Sequence, residues 1–183
     1  MLNRYTIGAF NRLYYKVSGF RSKPEGKQRI HYNKFFFPLD NIRNWNRLYG
    51  RKGFVQYQFV VPTQSGHEAV KSVLEEISKF GKGSFLSVLK KFGSANDNYL
   101  SFPMEGYTLA LDFKYEENLL PLLSRLDDMV VDFGGRIYLA KDSRMSESTF
   151  KKSYPKWQQF SQLRSKLGAT KRFNSMQSQR LGL

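Results

Sequence analysis

The chain of 183 residues contains no cysteine and only two histidines, His31 and His67. Without cysteine, disulfide bonds, thiolate nucleophiles and cysteine-ligated zinc are excluded. Two histidines far apart in sequence argue against a histidine metal site, and none is predicted. No segment has the apolar run of a signal peptide or approaches the roughly 20 apolar residues of a membrane span. The sequence therefore predicts a protein that is cytoplasmic or peripheral to a membrane.

Several catalytic motifs are also missing. The sequence has no Walker loop, no G-x-G-x-x-G, no G-x-S-x-G and no H-E-x-x-H, so it lacks the residues that these nucleotide-binding, hydrolase and zinc-protease sites require. The adjacent acids Asp127 and Asp128 fall on a predicted helix surface, where solvated side chains are the simpler interpretation. A carboxylate-pair enzyme is therefore not favoured.

Acidic residues are scarce in both flanks of the chain. Residues 1–53 hold twelve Lys and Arg against two acids, and residues 141–183 hold ten against two, whereas residues 54–140 hold eight against eleven. The net charge of +15 therefore belongs to the flanks. Basic flanks favour a polyanion, an anionic membrane surface or an acidic partner chain as partner.

The middle of the chain predicts an α+β domain. Apolar periodicity and turn residues predict strands over 54–61, 85–92, 107–113 and 136–141, with helices from 65 to 81 and from 119 to 133. Ser65 and Glu68 have the spacing of a capping box. The order strand, helix, strand, strand, helix, strand is the split βαβ or ferredoxin-like arrangement. It predicts a four-stranded antiparallel sheet with both helices on one face and the other face free to cover a ligand.

Two lysines interrupt apolar rows in this pattern. Period two places Lys90 on one strand face with Leu86, Val88 and Phe92, and it places Lys141 at the end of the last predicted strand. An unpaired ammonium in an apolar row is costly. Lys90 therefore either extends to water from the strand end or faces an anionic or electron-rich ligand. The same alternation puts Gln56 and Gln58 together on one face of the first strand.

The flanks predict helical arms. Residues 3–18 have the spacing of an amphipathic helix, residues 20–34 predict a mobile basic loop, and three aromatics at 35–37 precede a short helix. Beyond the core, helices are predicted after Ser146 and around 157–167. We therefore divide the chain into a basic helical arm (1–53), a βαββαβ core (54–141) and a helical extension (142–183).

The strand order also occurs in RNA-recognition modules, which stack bases on aromatic side chains of the central strands. Of the third-strand signature of those modules, only Gly106 and Tyr107 are present here. Nucleic acid is therefore the alternative partner, supported by the basic arms.

A family resemblance covers nearly the whole chain. It is carried by QYQFVVP (56–62), SFL (84–86), KKFG (90–93), LSFP (100–103), GYTLALDF (106–113), FGGRIY (133–138), AKDSR (140–144), and shorter matches at 13–15, 36–40, 45–47, 154–155 and 180–181. These segments resemble the C-terminal, substrate-binding half of FAD-linked oxidoreductases of the vanillyl-alcohol-oxidase type. The resemblance implies that the three segments form one substrate-binding, or cap, domain, with a substrate loop in residues 1–53.

The resemblance also implies site roles. In that family the free face of the sheet closes over the flavin, and a sugar-like secondary alcohol, in some members linked to a polyprenyl phosphate, gives its hydride to the flavin and leaves a ketone. By position the catalytic residues would be Lys141 and Lys90, because a cation stabilises the anionic charge that develops on reduction. Cofactor contacts would come from Gln56, Gln58 and Lys141. The implied substrate pocket consists of Phe36, Tyr107, Thr108, Ala110 and Tyr138.

Two departures from the family pattern bear on these expectations. Ala110 stands where a close family member carries cysteine, and Phe36 where it carries tyrosine, so details of the pocket would differ. The FAD-binding half of the family, with its glycine-rich phosphate loop, has no counterpart in this sequence. We therefore expect an FAD-binding domain or subunit as partner, FAD contacted from one side only, and activity only when both parts are joined.

Overall fold

The computed structural model describes residues 4–21, 29–37, 43–84 and 86–183. Its helices and strands in chain order are α1 (Arg4–Arg21), α2 (Tyr32–Phe36), β1 (Phe54–Pro62), α3 (Gly66–Lys79), β2 (Ser87–Phe92), β3 (Gly106–Lys114), α4 (Leu119–Asp132), β4 (Arg136–Ile137), α5 (Glu147–Ser153), α6 (Trp157–Lys166) and α7 (Met176–Arg180). Short 3-10 turns span Trp45–Tyr49, Leu139–Lys141 and Ala169–Lys171. Residues 22–28 of the predicted mobile loop lie outside the described residues, as does Phe85. The ends of that predicted loop are helical instead, because α1 extends to Arg21 and α2 begins at Tyr32.

The four strands form one antiparallel sheet in the order β2-β3-β1-β4. This is the strand order of a split βαβ fold, so the predicted α+β class and βαββαβ arrangement are confirmed. The long central pair runs from Phe54 opposite Lys114 to Pro62 opposite Gly106. Because directly opposite residues share a face, this register decides which side chains meet on each side of the sheet.

The hydrophobic core lies between the sheet and the helices. Alternate residues of β1 and β3 face α3 and α4, which pack against each other on this side of the sheet. The C-terminal extension belongs to the same core, because Met145, Phe150, Tyr154 and Leu181 are fully or almost fully buried in it. The helices and the core thus cover one face of the sheet. The opposite face is not part of this core.

The helix boundaries combine correct and incorrect predictions. Gly81 and Gly134 follow α3 and α4 with φ of +72° and +75°, a conformation that glycine adopts without steric cost. Ser146 begins α5 by accepting a hydrogen bond from the Thr149 N–H (3.1 Å). The capping box at Ser65 is wrong, because the Ser65 hydroxyl instead donates to the Phe133 carbonyl (3.0 Å) and ties α3 to the end of α4.

The last strand is much shorter than predicted. β4 contains only Arg136 and Ile137, and Lys141 ends a 3-10 turn instead of a strand. The Tyr138 N–H still bonds to the Gln58 carbonyl (2.8 Å), but the N–H groups of Lys141 and Asp142 then bond to carbonyls three residues back. Alternating apolar residues fit a strand and this turn equally well, so periodicity could not distinguish them.

Helix α1 presents an apolar side to solvent. Phe10, Leu13, Tyr14 and Val17 follow the spacing of one helix face, and each is at least 39% exposed. None of the described helices is long and apolar enough to cross a bilayer.

Candidate functional site

The face of the sheet opposite α3 and α4 collects polar side chains from three strands. The strand register puts Gln56 opposite Asp112, Gln58 opposite Ala110, and Val60 opposite Thr108. The neighbouring strand adds two more rows, in which Val88 lies opposite Ala110 and Lys90 opposite Thr108. We call these eight positions, Gln56, Gln58, Val60, Val88, Lys90, Thr108, Ala110 and Asp112, the site face.

Aromatic side chains stand at both ends of the site face. At one end Tyr49 stacks on Phe54 with ring centroids 4.6 Å apart, and Trp45 lies 5.4 Å from the same ring. At the other end Phe102 stacks on Tyr138 at 4.4 Å and meets Phe92 edge-on at 5.9 Å. The polar positions therefore lie between two aromatic walls.

Asp112 is the buried acid of the site face. Its carboxylate accepts a hydrogen bond from the Gln56 amide (3.0 Å), and the Tyr49 hydroxyl lies 3.5 Å from its second oxygen. Burial raises the pKa of Asp112, while Gln56, the charge of Lys141 and Tyr49 oppose that shift. Burial and then the charge of Asp112 also raise the pKa of Tyr49.

Sequence reasoning did not single out Asp112 as a site residue. The signal was nevertheless available, because period two along β3 puts Asp112 on the same face as Thr108 and Ala110.

Gln58 and Thr108 form a second hydrogen-bonded pair across the sheet. The Gln58 amide donates to the Thr108 hydroxyl (3.1 Å), and that hydroxyl donates to the Phe59 carbonyl (2.7 Å). Thr108 is thereby held by two hydrogen bonds, whereas the amide oxygen of Gln58 accepts no hydrogen bond from the described residues. Ala110, between Gln58 and Val88, is the smallest side chain of the site face.

The two lysines approach this surface from different elements. Lys90 is exposed on β2, and Lys141 is half-buried, lining a small cleft with Gln56, Gln58 and Asp142. The charge of Lys141 lowers the pKa of Asp112, although burial has the larger, opposite effect. Among the described residues, neither ammonium forms an ion pair or a side-chain hydrogen bond. Both cations are therefore available to a ligand.

Tyr107 does not belong to this surface. In the strand register it lies opposite Val61 and Lys91, on the helix side of the sheet. A Cβ atom placed on Gly66 of α3 would lie 2.3 Å from the Tyr107 ring, which shows how closely that ring packs on the helix. The expectation that Tyr107 shares a pocket wall with Thr108 and Ala110 is wrong, because neighbours in a strand face opposite sides.

The remaining predicted pocket residues divide between two places. Tyr138 adjoins Gln58 through its backbone and forms part of the aromatic wall with Phe102. Phe36 ends α2 and is 68% exposed, and its ring contacts are with Phe35 and Phe37. The structure thus brings Tyr138, but not Phe36, together with the site face.

A second polar cluster fixes the segment that carries Lys141. The Arg144 guanidinium pairs with Asp127 (2.6 Å), and the Tyr57 hydroxyl donates to the same carboxylate (3.0 Å). Burial raises the pKa of Asp127, against the effect of Arg144. Asp127 is only 2% exposed, so its assignment to a solvated helix surface is wrong. Its partners lie in β1 and after the Lys141 turn, which a helix pattern by itself does not reveal.

The site face lacks the features of an RNA-recognition surface. Such modules stack bases on aromatic side chains of the two central strands, which here present mostly Gln, Thr, Ala and Asp. Phe54, the aromatic residue at the end of β1, is packed under Trp45 and Tyr49. The site face therefore does not favour the nucleic-acid alternative.

The chain belongs to the D-arabinono-1,4-lactone oxidase family, which its residues 51–181 match. Over its full length it is 39% identical to decaprenylphosphoryl-β-D-ribose oxidase of Mycolicibacterium smegmatis, of which it covers 39%. An uncharacterized protein in the mprA 5′ region of Streptomyces coelicolor is 32% identical over 72% of this chain and 36% of its own length.

A more distant relative is the L-gulono-1,4-lactone dehydrogenase of Mycobacterium tuberculosis. It is 19% identical over 62% of this chain and 27% of its own length. The chain therefore spans well under half the length of these curated relatives.

Proposed function

We propose that this chain is the substrate-binding portion of an FAD-dependent oxidoreductase that oxidises a secondary alcohol of a sugar-like substrate to a ketone. The observation that supports it best is the convergence of two lysines without ion pairs, two glutamine amides and a buried carboxylate on one sheet face. The names of the relatives, an oxidase and a dehydrogenase of sugar-type compounds, support the same reaction class. The FAD-binding portion lies in the same polypeptide or in a partner chain.

The side chains of the site face suit a flavin and an alcohol. A flavin offers an extended ring with hydrogen-bonding edges, and the site face offers the amides of Gln56 and Gln58 between two aromatic walls. The cations of Lys90 and Lys141 have no ionic partner among the described residues, which suits a ligand that gains negative charge. These residues would hold the group from one side.

Each residue has a definite task in this proposal. When bound, FAD supplies the acceptor for the hydride of the alcohol carbon, and the hydroxyl proton is released to solvent. Lys141 stabilises negative charge that develops beside it, because a fixed cation is most effective where water is excluded. Asp112 holds the Gln56 amide in one orientation. Gln58, held by Thr108, presents a free amide oxygen to a substrate hydroxyl.

The test is to join the chain to the FAD-binding portion of a family member, by fusion or co-expression, and to measure dye reduction by a polyprenyl-phospho-sugar. Lys141→Ala is expected to lose most activity while the flavin stays bound, as seen by its visible absorbance. Lys152→Ala, which changes an exposed lysine of α5, is the matched control. Full activity of Lys141→Ala would contradict the proposal.

The flavin contact predicts a second result. Because the chain would hold FAD from one side only, the purified 183-residue chain alone is expected to be colourless. A yellow protein with one flavin per chain would show that the cofactor is held here without a further domain.

We further propose an anionic membrane surface as partner, which would bring a polyprenyl-phosphate-linked substrate within reach. Helix α1 supports it, because its aromatic side, with Phe10 and Tyr14 stacked at 6.0 Å, is exposed, and Arg12 and Lys16 lie outside that side. Helices of this kind lie in the interface of anionic bilayers.

Comparison of Tyr14→Ser with Tyr15→Ser distinguishes insertion of the aromatic side into the membrane from nonspecific adsorption. Tyr14 is 65% exposed on the aromatic side, and Tyr15 is 81% exposed outside it. Co-sedimentation with phosphatidylglycerol vesicles is expected to fall for Tyr14→Ser and to remain for Tyr15→Ser. Equal binding to phosphatidylcholine vesicles, or equal loss in both variants, would contradict this surface.

A further inference from the structure

Strand pairing does not determine the position of Lys141. β4 ends at Ile137, and Lys141 lies in the 3-10 turn Leu139–Lys141, beyond the last ladder pair. A short turn at the edge of a sheet has few hydrogen bonds of its own, so contacts from elsewhere decide where its side chains lie. The Arg144 cluster holds the residues after this turn, and the C-terminal helix α7 holds the turn itself.

Gln177 of α7 binds the backbone on both sides of Lys141. Its amide nitrogen donates to the Leu139 carbonyl (2.7 Å) and lies 3.4 Å from the Asp142 carbonyl. Leu139 precedes Lys141 by two residues and Asp142 follows it, so one side chain spans the turn. The Leu139 carbonyl also accepts a hydrogen bond from the Asp142 N–H (3.2 Å). Removing the Gln177 amide therefore leaves this carbonyl only the turn's own backbone bond and takes away the donor from α7.

Arg180 of α7 fixes the same turn through Asp142. The Arg180 guanidinium donates to one oxygen of the Asp142 carboxylate (2.7 Å) and also to the Met145 carbonyl. The other oxygen of Asp142 accepts from the N–H groups of Arg144 (3.0 Å) and Met145 (2.7 Å). The Asp142 side chain is only 2% exposed, so this ion pair is shielded from water on the side of the acid.

The two side chains act together because they lie three residues apart on one short helix, on the same side. A capping box between Ser175 and Ser178 begins this helix, which fixes its first turn. We propose that Gln177 and Arg180 are positioning residues that determine where the ammonium of Lys141 lies on the site face. The inference depends on the role of Lys141 given above, but its first test does not require that role.

The first test measures the position of Lys141 without any enzymatic activity. The full 183-residue chain is labelled with a trace of acetic anhydride, and the modification of Lys141 is compared by mass spectrometry with that of the exposed Lys152. Releasing the turn exposes the half-buried Lys141, so Gln177→Leu is expected to raise this ratio by about fivefold, the factor that one hydrogen bond typically represents. Gln179→Leu, at an exposed glutamine of the same helix, leaves the ratio unchanged.

An unchanged ratio in a folded Gln177→Leu chain, checked by circular dichroism, overturns the inference. A second variant covers the case in which Gln177→Leu does not fold. Arg180→Lys keeps the charge beside Asp142 but removes the fork that reaches the Met145 carbonyl. It is also expected to raise the labelling of Lys141, and a folded Arg180→Lys chain with the ratio of the unsubstituted chain equally overturns the inference.

The second test uses the assembled oxidoreductase and separates the inference from the proposed function. Gln177→Leu is expected to lower kcat with less effect on KM, and to have no further effect in a Lys141→Ala background, since coupled residues are not additive. If the labelling changes while Lys141→Ala is fully active, the positioning role stands and the proposed function fails. If Gln177→Leu lowers kcat equally in both backgrounds, the helix does not act through Lys141.

Discussion

Gln56 donates a hydrogen bond of 3.0 Å across the sheet to Asp112, a carboxylate that is only 2% exposed. The Gln56 amide satisfies the carboxylate of Asp112 and is held by it. The Gln56 side chain therefore has one preferred orientation on the site face. Burial nevertheless dominates and raises the pKa of Asp112. This direction of shift has a consequence for stability.

We predict that the stability of the Asp112→Asn variant rises relative to that of the unsubstituted chain as the pH rises above 4. A carboxyl whose pKa is higher in the folded state stabilises the fold below its unfolded pKa, and that contribution is lost as the pH rises through the folded pKa. Asparagine resembles the protonated acid and does not lose the contribution. The measurement is the difference in Tm between the two proteins from pH 4 to pH 7, which should shift in favour of the variant.

Glu116 provides a control of opposite sign. Its hydrogen bond from Lys82, opposed by burial, lowers the pKa of Glu116, so its contribution is present at neutral pH and is lost as the pH falls through the folded pKa. The stability of the Glu116→Gln variant should therefore fall relative to that of the unsubstituted chain over the same rise in pH. If the two variants shifted in the same direction, burial would not be the dominant influence on Asp112.

The buried cluster of Tyr57, Asp127 and Arg144 predicts unequal costs for its parts. Arg144→Gln leaves a carboxylate that is 2% exposed without its cation, which costs on the order of 3 kcal/mol in the free energy of unfolding. Tyr57→Phe removes one hydrogen bond to that charged group, which costs about 2 kcal/mol. Urea denaturation of the purified chain measures both.

The control for this cluster is an ion pair whose arginine is exposed on the same helix, α4. Arg125 pairs with Glu76 of α3 at 2.7 Å, and the arginine side chain is 63% exposed, the glutamate side chain 13%. Arg125→Gln should change the free energy of unfolding by less than about 1 kcal/mol, because water screens the guanidinium and reaches the glutamate that it leaves. A loss for Arg144→Gln no larger than this would mean that Asp127 finds another partner.

Sequence patterns predicted the features that depend on regular periodicity. Period two in β1 and β2 correctly placed Gln56 with Gln58, and Val88 with Lys90, on single faces, because strand pairing preserves alternation. The helix pattern correctly predicted α3 and α4, whose apolar residues are buried in the core.

The remaining features depend on contacts between residues distant in sequence. The burial of Asp127 is compensated by Tyr57, 70 residues before it in the chain, and by Arg144, which follows β4 and the Lys141 turn. The short β4 is followed by a turn, and Gln177 donates a hydrogen bond to Leu139 of that turn from 38 residues further along the chain. A local sequence pattern does not contain such long-range contacts, so it could not predict these parts of the site.

Gly106 predicts a steric defect at one end of the sheet. A Cβ atom there would lie 1.9 Å from the Val61 carbonyl oxygen, a backbone atom held in the β1 and β3 ladder. Gly106→Ala must therefore separate the strands locally, which costs on the order of 3 kcal/mol. Gly93→Ala is the control, because nothing lies within 4 Å of a Cβ at that glycine. Equal Tm values for the two variants would mean that the ladder end is not rigid.

Two adjacent lysines of β2 provide the sharpest test of which sheet face binds the substrate. Lys90 lies opposite Thr108 on the site face, whereas Lys91 lies opposite Tyr107 on the helix side, and both are exposed. The two lysines have the same charge, lie in the same strand and are both exposed, so they differ in the sheet face from which they extend. In the assembled oxidoreductase, Lys90→Ala should lower kcat/KM by at least about tenfold, the size of one lost charge-assisted hydrogen bond.

Lys91→Ala should leave kcat/KM within about twofold of the unsubstituted protein, because an exposed charge on the far side of a sheet interacts weakly across it. The comparison is most informative with a neutral and a phosphorylated version of the same sugar-like alcohol. If Lys90 meets the anionic group of the substrate, its loss affects only the phosphorylated version. If it instead stabilises charge that develops during oxidation, both versions lose rate equally. Equal effects of Lys90→Ala and Lys91→Ala would place the substrate elsewhere than on the site face.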